Sequence, residues 1–73
     1  YGIYLTDSDF TIESNLILRN YVGVAIYSSN PTLTENVIMF NRGYGVYCDY
    51  NSEPEILDNV IKRNHIDYFK ESP

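Results

Sequence analysis

The chain has no tryptophan, one cysteine, one methionine, three prolines and four glycines among its 73 residues. A single thiol, Cys48, excludes an intrachain disulfide. Five basic residues stand against ten acidic ones, for a formal charge of −5. No nucleic-acid partner is expected, because a phosphate backbone calls for clustered Lys and Arg. No apolar run nears the roughly 18–20 residues of a spanning helix, so no membrane span is expected either. No stretch supports a long helix, because Asn, Gly, Ser and Pro interrupt each one. A chain this short holds one small domain at most, with a modest core. No signal peptide is legible. The chain opens at Tyr1-Gly2 inside a repeat, which reads as a piece of something longer.

What is present is repetition. Asn15, Asn36 and Asn59 step by 21 and then 23 residues, and Asn20, Asn41 and Asn64 do the same. Gly2, Gly23 and Gly45 step by 21 and 22. Three copies follow, at 2–20, 23–41 and 45–64, with a tail at 65–73. One extra residue in the third copy falls between Cys48 and Pro54, and another in Arg42-Gly43-Tyr44. Like residues then align. The apolar columns are Ile3/Val24/Val46, Leu5/Ile26/Cys48, Ile12/Leu33/Ile56 and Ile17/Ile38/Ile61. Ser8, Ser29 and Ser52 precede a shared turn position held by Phe10, Pro31 and Pro54.

Each copy contains three short alternating segments, as in Gly2-Ile3-Tyr4-Leu5, Thr11-Ile12-Glu13 and Leu16-Ile17-Leu18. Such alternation between turn residues predicts strands. Three strands in about 22 residues make one turn of a solenoid, with successive turns stacked strand on strand. The expected fold is all-β, a parallel β-solenoid of about three coils with the apolar columns inside. Asn tolerates the left-handed backbone of a sharp bend. A column of Asn15, Asn36 and Asn59 also allows each side-chain amide to bond to the next, and Asn20, Asn41 and Asn64 form a second such column.

The pattern Gly-Val-x-Ile-x-x-Ser-x-Pro-x-Leu-x-x-Asn-x-Ile-x-x-Asn at 23–41 resembles the repeat of right-handed parallel β-helices of the pectin-lyase-like superfamily. The resemblance extends from Gly2 to Asn64. It implies a right-handed coil of three parallel sheets, and favours an extracellular or periplasmic setting. The main rival, a leucine-rich repeat, lacks here its Leu-x-x-Leu-x-Leu run and any helical segment. The resemblance does not bring a catalytic site with it. The Asn-Thr-Asp, Gly-His-Gly and Arg-Ile-Lys motifs of the superfamily's polygalacturonases and lyases are absent. Glu35 and Asp58 share a column, but no subsite residues gather around them in sequence. Catalytic residues are therefore expected on none of these coils, and if the parent is an enzyme it acts as a polysaccharide lyase or hydrolase.

Other chemistry is sparse. Cys48 falls in an apolar column and reads as a small buried hydrophobe. His65 sits past the last corner, and no metal site is expected from one His, one Cys and one Met. Asp7, Asp9, Asn30, Asp49 and Glu53 gather at the first turn, where calcium is the one conceivable cofactor. Only Ser28, Ser29 and Asn30 occupy that turn in the middle coil, so no cofactor is expected.

Eight tyrosines are the richer signal. Tyr4 and Tyr47 should face outward from the first sheet, whereas Tyr21, Tyr27, Tyr44 and Tyr50 read as turn residues. Tyr4, Tyr27, Tyr47 and Tyr50 are the candidate ligand contacts, since a phenol stacks on sugars and anchors partners. Leu16, Leu18, Val37, Met39 and Val60 should form an apolar outer patch on the third sheet, interrupted by Lys62. Such patches call for a covering surface. The expected partners are the rest of a longer solenoid or copies of the chain, joined end to end or laterally, and a polysaccharide. The role expected is a structural and binding solenoid of a carbohydrate-directed or adhesive protein. The alternatives are non-catalytic coils of a polysaccharide lyase or hydrolase, or a solenoid that recognises protein substrates. For the tail, a cap over the open end and the start of a further strand are both open.

Overall fold

The computed structural model describes residues 1–73. Ten short strands follow one another: β1 (Ile3–Thr6), β2 (Thr11–Glu13), β3 (Leu16–Leu18), β4 (Val22–Tyr27), β5 (Thr32–Thr34), β6 (Val37–Met39), β7 (Tyr44–Cys48), β8 (Glu55–Leu57), β9 (Val60–Lys62) and β10 (Ile66–Lys70). Every third strand stacks in parallel on the one before. This gives sheet A, β1-β4-β7-β10, sheet B, β2-β5-β8, and sheet C, β3-β6-β9. The fold is a parallel β-solenoid of three coils plus one strand.

Like stands over like. Val24 pairs with Ile3 and Val46, and Ile26 with Leu5 and Cys48. Leu33 lies between Ile12 and Ile56, and Ile38 between Ile17 and Ile61. These columns are the core. The middle coil is sealed on both sides, so Val24, Ile26, Leu33 and Ile38 are fully buried. Complete burial of one such side chain is worth about 1.5–3 kcal/mol.

The corners differ from the sequence expectation in one respect. The ladder asparagines do not adopt the left-handed backbone themselves. The residue before each one does: Ser14, Glu35 and Asp58 in one column, Arg19, Phe40 and Arg63 in the other, all with φ between 57° and 59°. The asparagines are held by hydrogen bonding instead. Asn15 Nδ2 donates to Asn36 Oδ1 at 3.0 Å, and Asn36 Nδ2 to Asn59 Oδ1 at 3.0 Å. The N–H of Asn15 and of Asn36 donates to the same acceptors. In the second column the N–H of Asn20 and of Asn41 donates to Asn41 Oδ1 and Asn64 Oδ1, and Asn41 Nδ2 also donates to Asn64 Oδ1, while Asn20 Nδ2 turns to the Leu18 carbonyl. A third ladder stands at the first turn, where the Ser8 N–H donates to Ser29 Oγ and the Ser29 N–H to Ser52 Oγ.

The glycine column answers to space, not to backbone freedom, for no glycine has a positive φ. A Cβ on Gly23 would lie 2.6 Å from the Gly45 carbonyl oxygen and 3.0 Å from both Asn41 Nδ2 and Ile38 Cγ2. The connectors are shorter than the repeat boundaries imply. Val22 and Tyr44 belong to β4 and β7 and pair with each other. The tail supplies β10, paired with β7 through Ile66↔Tyr44, Tyr68↔Val46, Phe69↔Tyr47 and Lys70↔Cys48. All three sheets therefore end on an open strand at the first coil, whereas at the last coil β8 and β9 are open and β7 is covered.

Candidate functional site

Alternation along sheet A sends Tyr4, Ala25, Tyr47 and Phe69 to the outer face in one row. Alanine leaves a gap in that row. Tyr27, two residues along β4, fills it: its ring centroid lies 5.3 Å from that of Tyr4 and 5.9 Å from that of Tyr47. Phe69 continues the row at 5.5 Å from Tyr47, with 27° between the planes. Tyr1 meets Tyr4 edge-on, and Tyr44 meets Tyr47 the same way. Tyr47 and Phe69 are stacked, Tyr4–Tyr27 and Tyr27–Tyr47 are tilted by 34° and 41°, and all these separations fall in the range where aromatic pairs attract. The result is a stack along the solenoid axis across all four strands of sheet A.

Tyr27 and Tyr44 are thus strand residues and not turn residues, and both belong to the stack. Tyr50 stays in its turn, exposed and outside it. Tyr1, Tyr44 and Phe69 were not among the sequence candidates. The one sequence signal for the arrangement is Ala25, the small residue in an otherwise aromatic column.

A carboxylate borders the stack. Tyr47 Oη donates to Glu71 Oε2 at 2.6 Å. That bond first, then burial and the Glu71 charge, pushes the Tyr47 phenol up to about 12. Burial, then the neighbouring Tyr1 and Tyr4 phenols, raises Tyr27 as well. Both phenols therefore keep their protons across the neutral range and remain hydrogen-bond donors.

At the acidic first turn, Asp9, Asn30 and Asp49 accept local hydrogen bonds. Asp9 Oδ1 accepts the Asn30 N–H, and Asn30 Oδ1 accepts the Glu53 N–H. Asp49 accepts the Ser28 N–H and the Ser52 hydroxyl. Burial acts to raise the Asp49 carboxyl, but bonds from Ser52 and from the N–H of Ser28 and Asn51 outweigh it and hold it below the usual carboxylate range. No three His, Cys, Asp or Glu side chains converge as a metal-ligand group. Burial pushes the Cys48 thiol up, opposite to what a reactive thiolate needs. Glu35 and Asp58 are exposed corner residues, and His65 is exposed.

On sheet C, Leu16, Val37 and Val60 form one outward row and Leu18, Met39 and Lys62 the next. Leu16 is 68 % exposed and Val60 43 %, while Leu18, Val37 and Met39 are half-buried. The apolar patch is therefore present but confined mainly to its two ends. No cavity interrupts the surface.

The family model described as "Right handed beta helix region" matches residues 1–72. The comparisons with curated proteins and with solved structures each gave no match.

Proposed function

Because the chain belongs to the right-handed beta helix family, we propose that it acts as a non-catalytic binding solenoid whose ligand surface is the outer face of sheet A. The unbroken ring stack from Tyr4 through Tyr27 and Tyr47 to Phe69 carries this reading. A polysaccharide strand lying along the solenoid axis would meet ring edges and phenol hydroxyls at every coil. Such a surface offers apolar contact and hydrogen bonding together. The Glu71 and Asp49 carboxylates and the net charge of −5 favour neutral over acidic glycans, by like-charge repulsion. The outer row of sheet C, with Leu16 and Val60 at its ends, would pack against further chain of a longer solenoid.

The test is glycan-array binding of the chain, followed by affinity measurements on Tyr4→Ala and Tyr27→Ala. Each should weaken binding roughly tenfold, which corresponds to about 1.4 kcal/mol. Leu16→Ser should leave it unchanged. Turnover of a bound glycan would replace the module reading with an enzymatic one, and binding untouched by either tyrosine change would remove sheet A as the surface.

A further inference from the structure

We propose that the corner joining sheet C to sheet A is a docking surface for an anionic lipid bilayer, on which the solenoid lies side-on. It needs no ligand on sheet A.

The winding sorts the charges of the chain. Of its five basic residues, Arg19, Arg42, Lys62 and Arg63 lie at this corner, although the sequence scatters them over three coils. The residues before the ladder asparagines here are Arg19, Phe40 and Arg63, and those after them are Tyr21, Arg42 and His65. The Arg42 N–H donates to the Asn20 carbonyl and the His65 N–H to that of Asn41, so the second set stacks as the first does. Each coil therefore sets one arginine and one ring at the corner, and the arginine changes column in the middle coil. All four cations are exposed, and none has a carboxylate partner. The one ion pair of the molecule joins Lys70 to Glu53.

The acids stand elsewhere. The chain has none from Leu16 to Tyr27 or from Val37 to Cys48. Asp67, on the sheet A side of the third coil, accepts at Oδ1 from the N–H and Nδ2 of Asn64. Glu35 and Asp58 lie five residues back from Phe40 and Arg63, across sheet C. The acidic first turn lies beyond the six residues of β4. At about 3.3 Å per residue, both separations exceed the Debye length of about 8 Å at physiological salt. The corner thus acts as a local cation on a molecule whose formal charge is −5.

Charge alone suits any polyanion, and the apolar groups select lipid. Tyr21 is 60 % and Phe40 47 % exposed. Beside them sheet C presents the half-buried Leu18 and Met39, in the row completed by Lys62. The Tyr21 ring rests on Gly43, where a Cβ would lie 2.8 Å from Cζ. Phe40, Leu18 and Met39 have no hydrogen bond to offer a glycan, and no cavity opens to seat a base. Rings beside cations suit the interface of an anionic leaflet: the rings settle at headgroup level, and the arginines meet the lipid anions.

The experiment is flotation of the full chain with vesicles of phosphatidylcholine alone, and of phosphatidylcholine with an equal part of phosphatidylserine. The chain should float with the mixed vesicles, more strongly at low salt, and not with phosphatidylcholine. Arg63→Gln should weaken the partition about fivefold, the share of one basic residue near such a surface. Thr11→Glu, on sheet B, changes the net charge equally and should leave the partition unchanged. So should Tyr4→Ala, which tests the glycan surface instead. The chain has no tryptophan, so the emission of Phe40→Trp reports that position alone and should shift to the blue on mixed vesicles. Absence of flotation at low salt would overturn the proposal, as would equal losses from Arg63→Gln and Thr11→Glu, or an unshifted tryptophan on vesicles that carry the chain. Association with single-stranded RNA but not with mixed vesicles would give the corner to a different polyanion, and overturn it as well. Circular dichroism checks that each variant keeps its sheet, and the comparison of the two vesicle types on the unaltered chain decides whatever the variants do.

Discussion

Coils one and two carry nearly the same residues at the same offsets, yet those residues do different work. Asn15 is exposed at a free edge and bonds to Glu13 and Asn36. Asn36 is fully buried, accepts from Asn15, and donates to Asn59 and to the Ile12 carbonyl. Gly2 is exposed, and Gly23 is buried between two layers. In a stacked fold, a residue's contribution is set by whether a coil lies on both sides of it, more than by its type.

The sharpest way to break this comparison is at the glycines. Gly23→Ala should destabilise by about 3 kcal/mol, since its new methyl meets backbone on a strand fixed from both sides. Gly2→Ala meets the equivalent atom, the Gly23 carbonyl oxygen, but on a strand free to shift outward, and should cost only about 1 kcal/mol. Urea midpoints of the two variants, measured side by side, test the difference. Equal losses would mean that the first coil is held as firmly as the second.

Next in size are the ladder positions. Asn36→Ala strands the buried Ile12 carbonyl and the Asn15 donors, for about 3 kcal/mol, whereas Asn15→Ala should lose less than about 1 kcal/mol. The same denaturation series reads both.

The last coil is tied to β10 through Tyr47 and Glu71, and pH probes that tie. The folded phenol titrates near 12, above its unfolded value of about 10. The stability it confers is complete below pH about 10 and declines as pH rises towards about 12. Glu71→Gln should lower stability at neutral pH and flatten the alkaline decline in thermal melts, because the folded phenol then titrates closer to its unfolded value.

The smallest effect is expected at a corner. Phe40 is exposed, with φ at 59°. Phe40→Asn should stabilise by up to about 1 kcal/mol, because Asn enters the left-handed region more readily. Calorimetry would detect the gain, and no gain would mean that the ring packs usefully despite its exposure.

The columns were legible in the sequence because a solenoid converts sequence period directly into vertical neighbours. Val24 over Ile3 and Leu33 over Ile12 needed only the count of residues between asparagines. Features that depend on the angle within a coil were not legible. The left-handed residue at each corner could be Ser, Glu, Arg, Phe or Asp, so no residue type marked it. Ser29 and Ser52 repeat as regularly as the asparagines, but a recurring serine at a turn does not declare which backbone N–H it will accept. Tyr27 reads as a turn residue because strand length is not encoded in the period, and its position over Ala25 depends on how neighbouring rows fit together. β10 lacks the opening glycine, so the repeat gave no sign that it would add to β7.

The third coil is longer than the second by a residue near Arg42-Gly43 and another near Tyr50-Asn51, and the strands on either side keep their partners. The corner at Tyr50-Asn51, exposed to solvent, therefore behaves as slack in an otherwise tightly indexed winding, whereas Gly43 is buried against Tyr21. Doubling the length of a flexible loop costs only about 0.6 kcal/mol. Peptides spliced between Tyr50 and Asn51 should be carried as passengers, making this small chain a scaffold on which foreign segments can be displayed without retuning its interior.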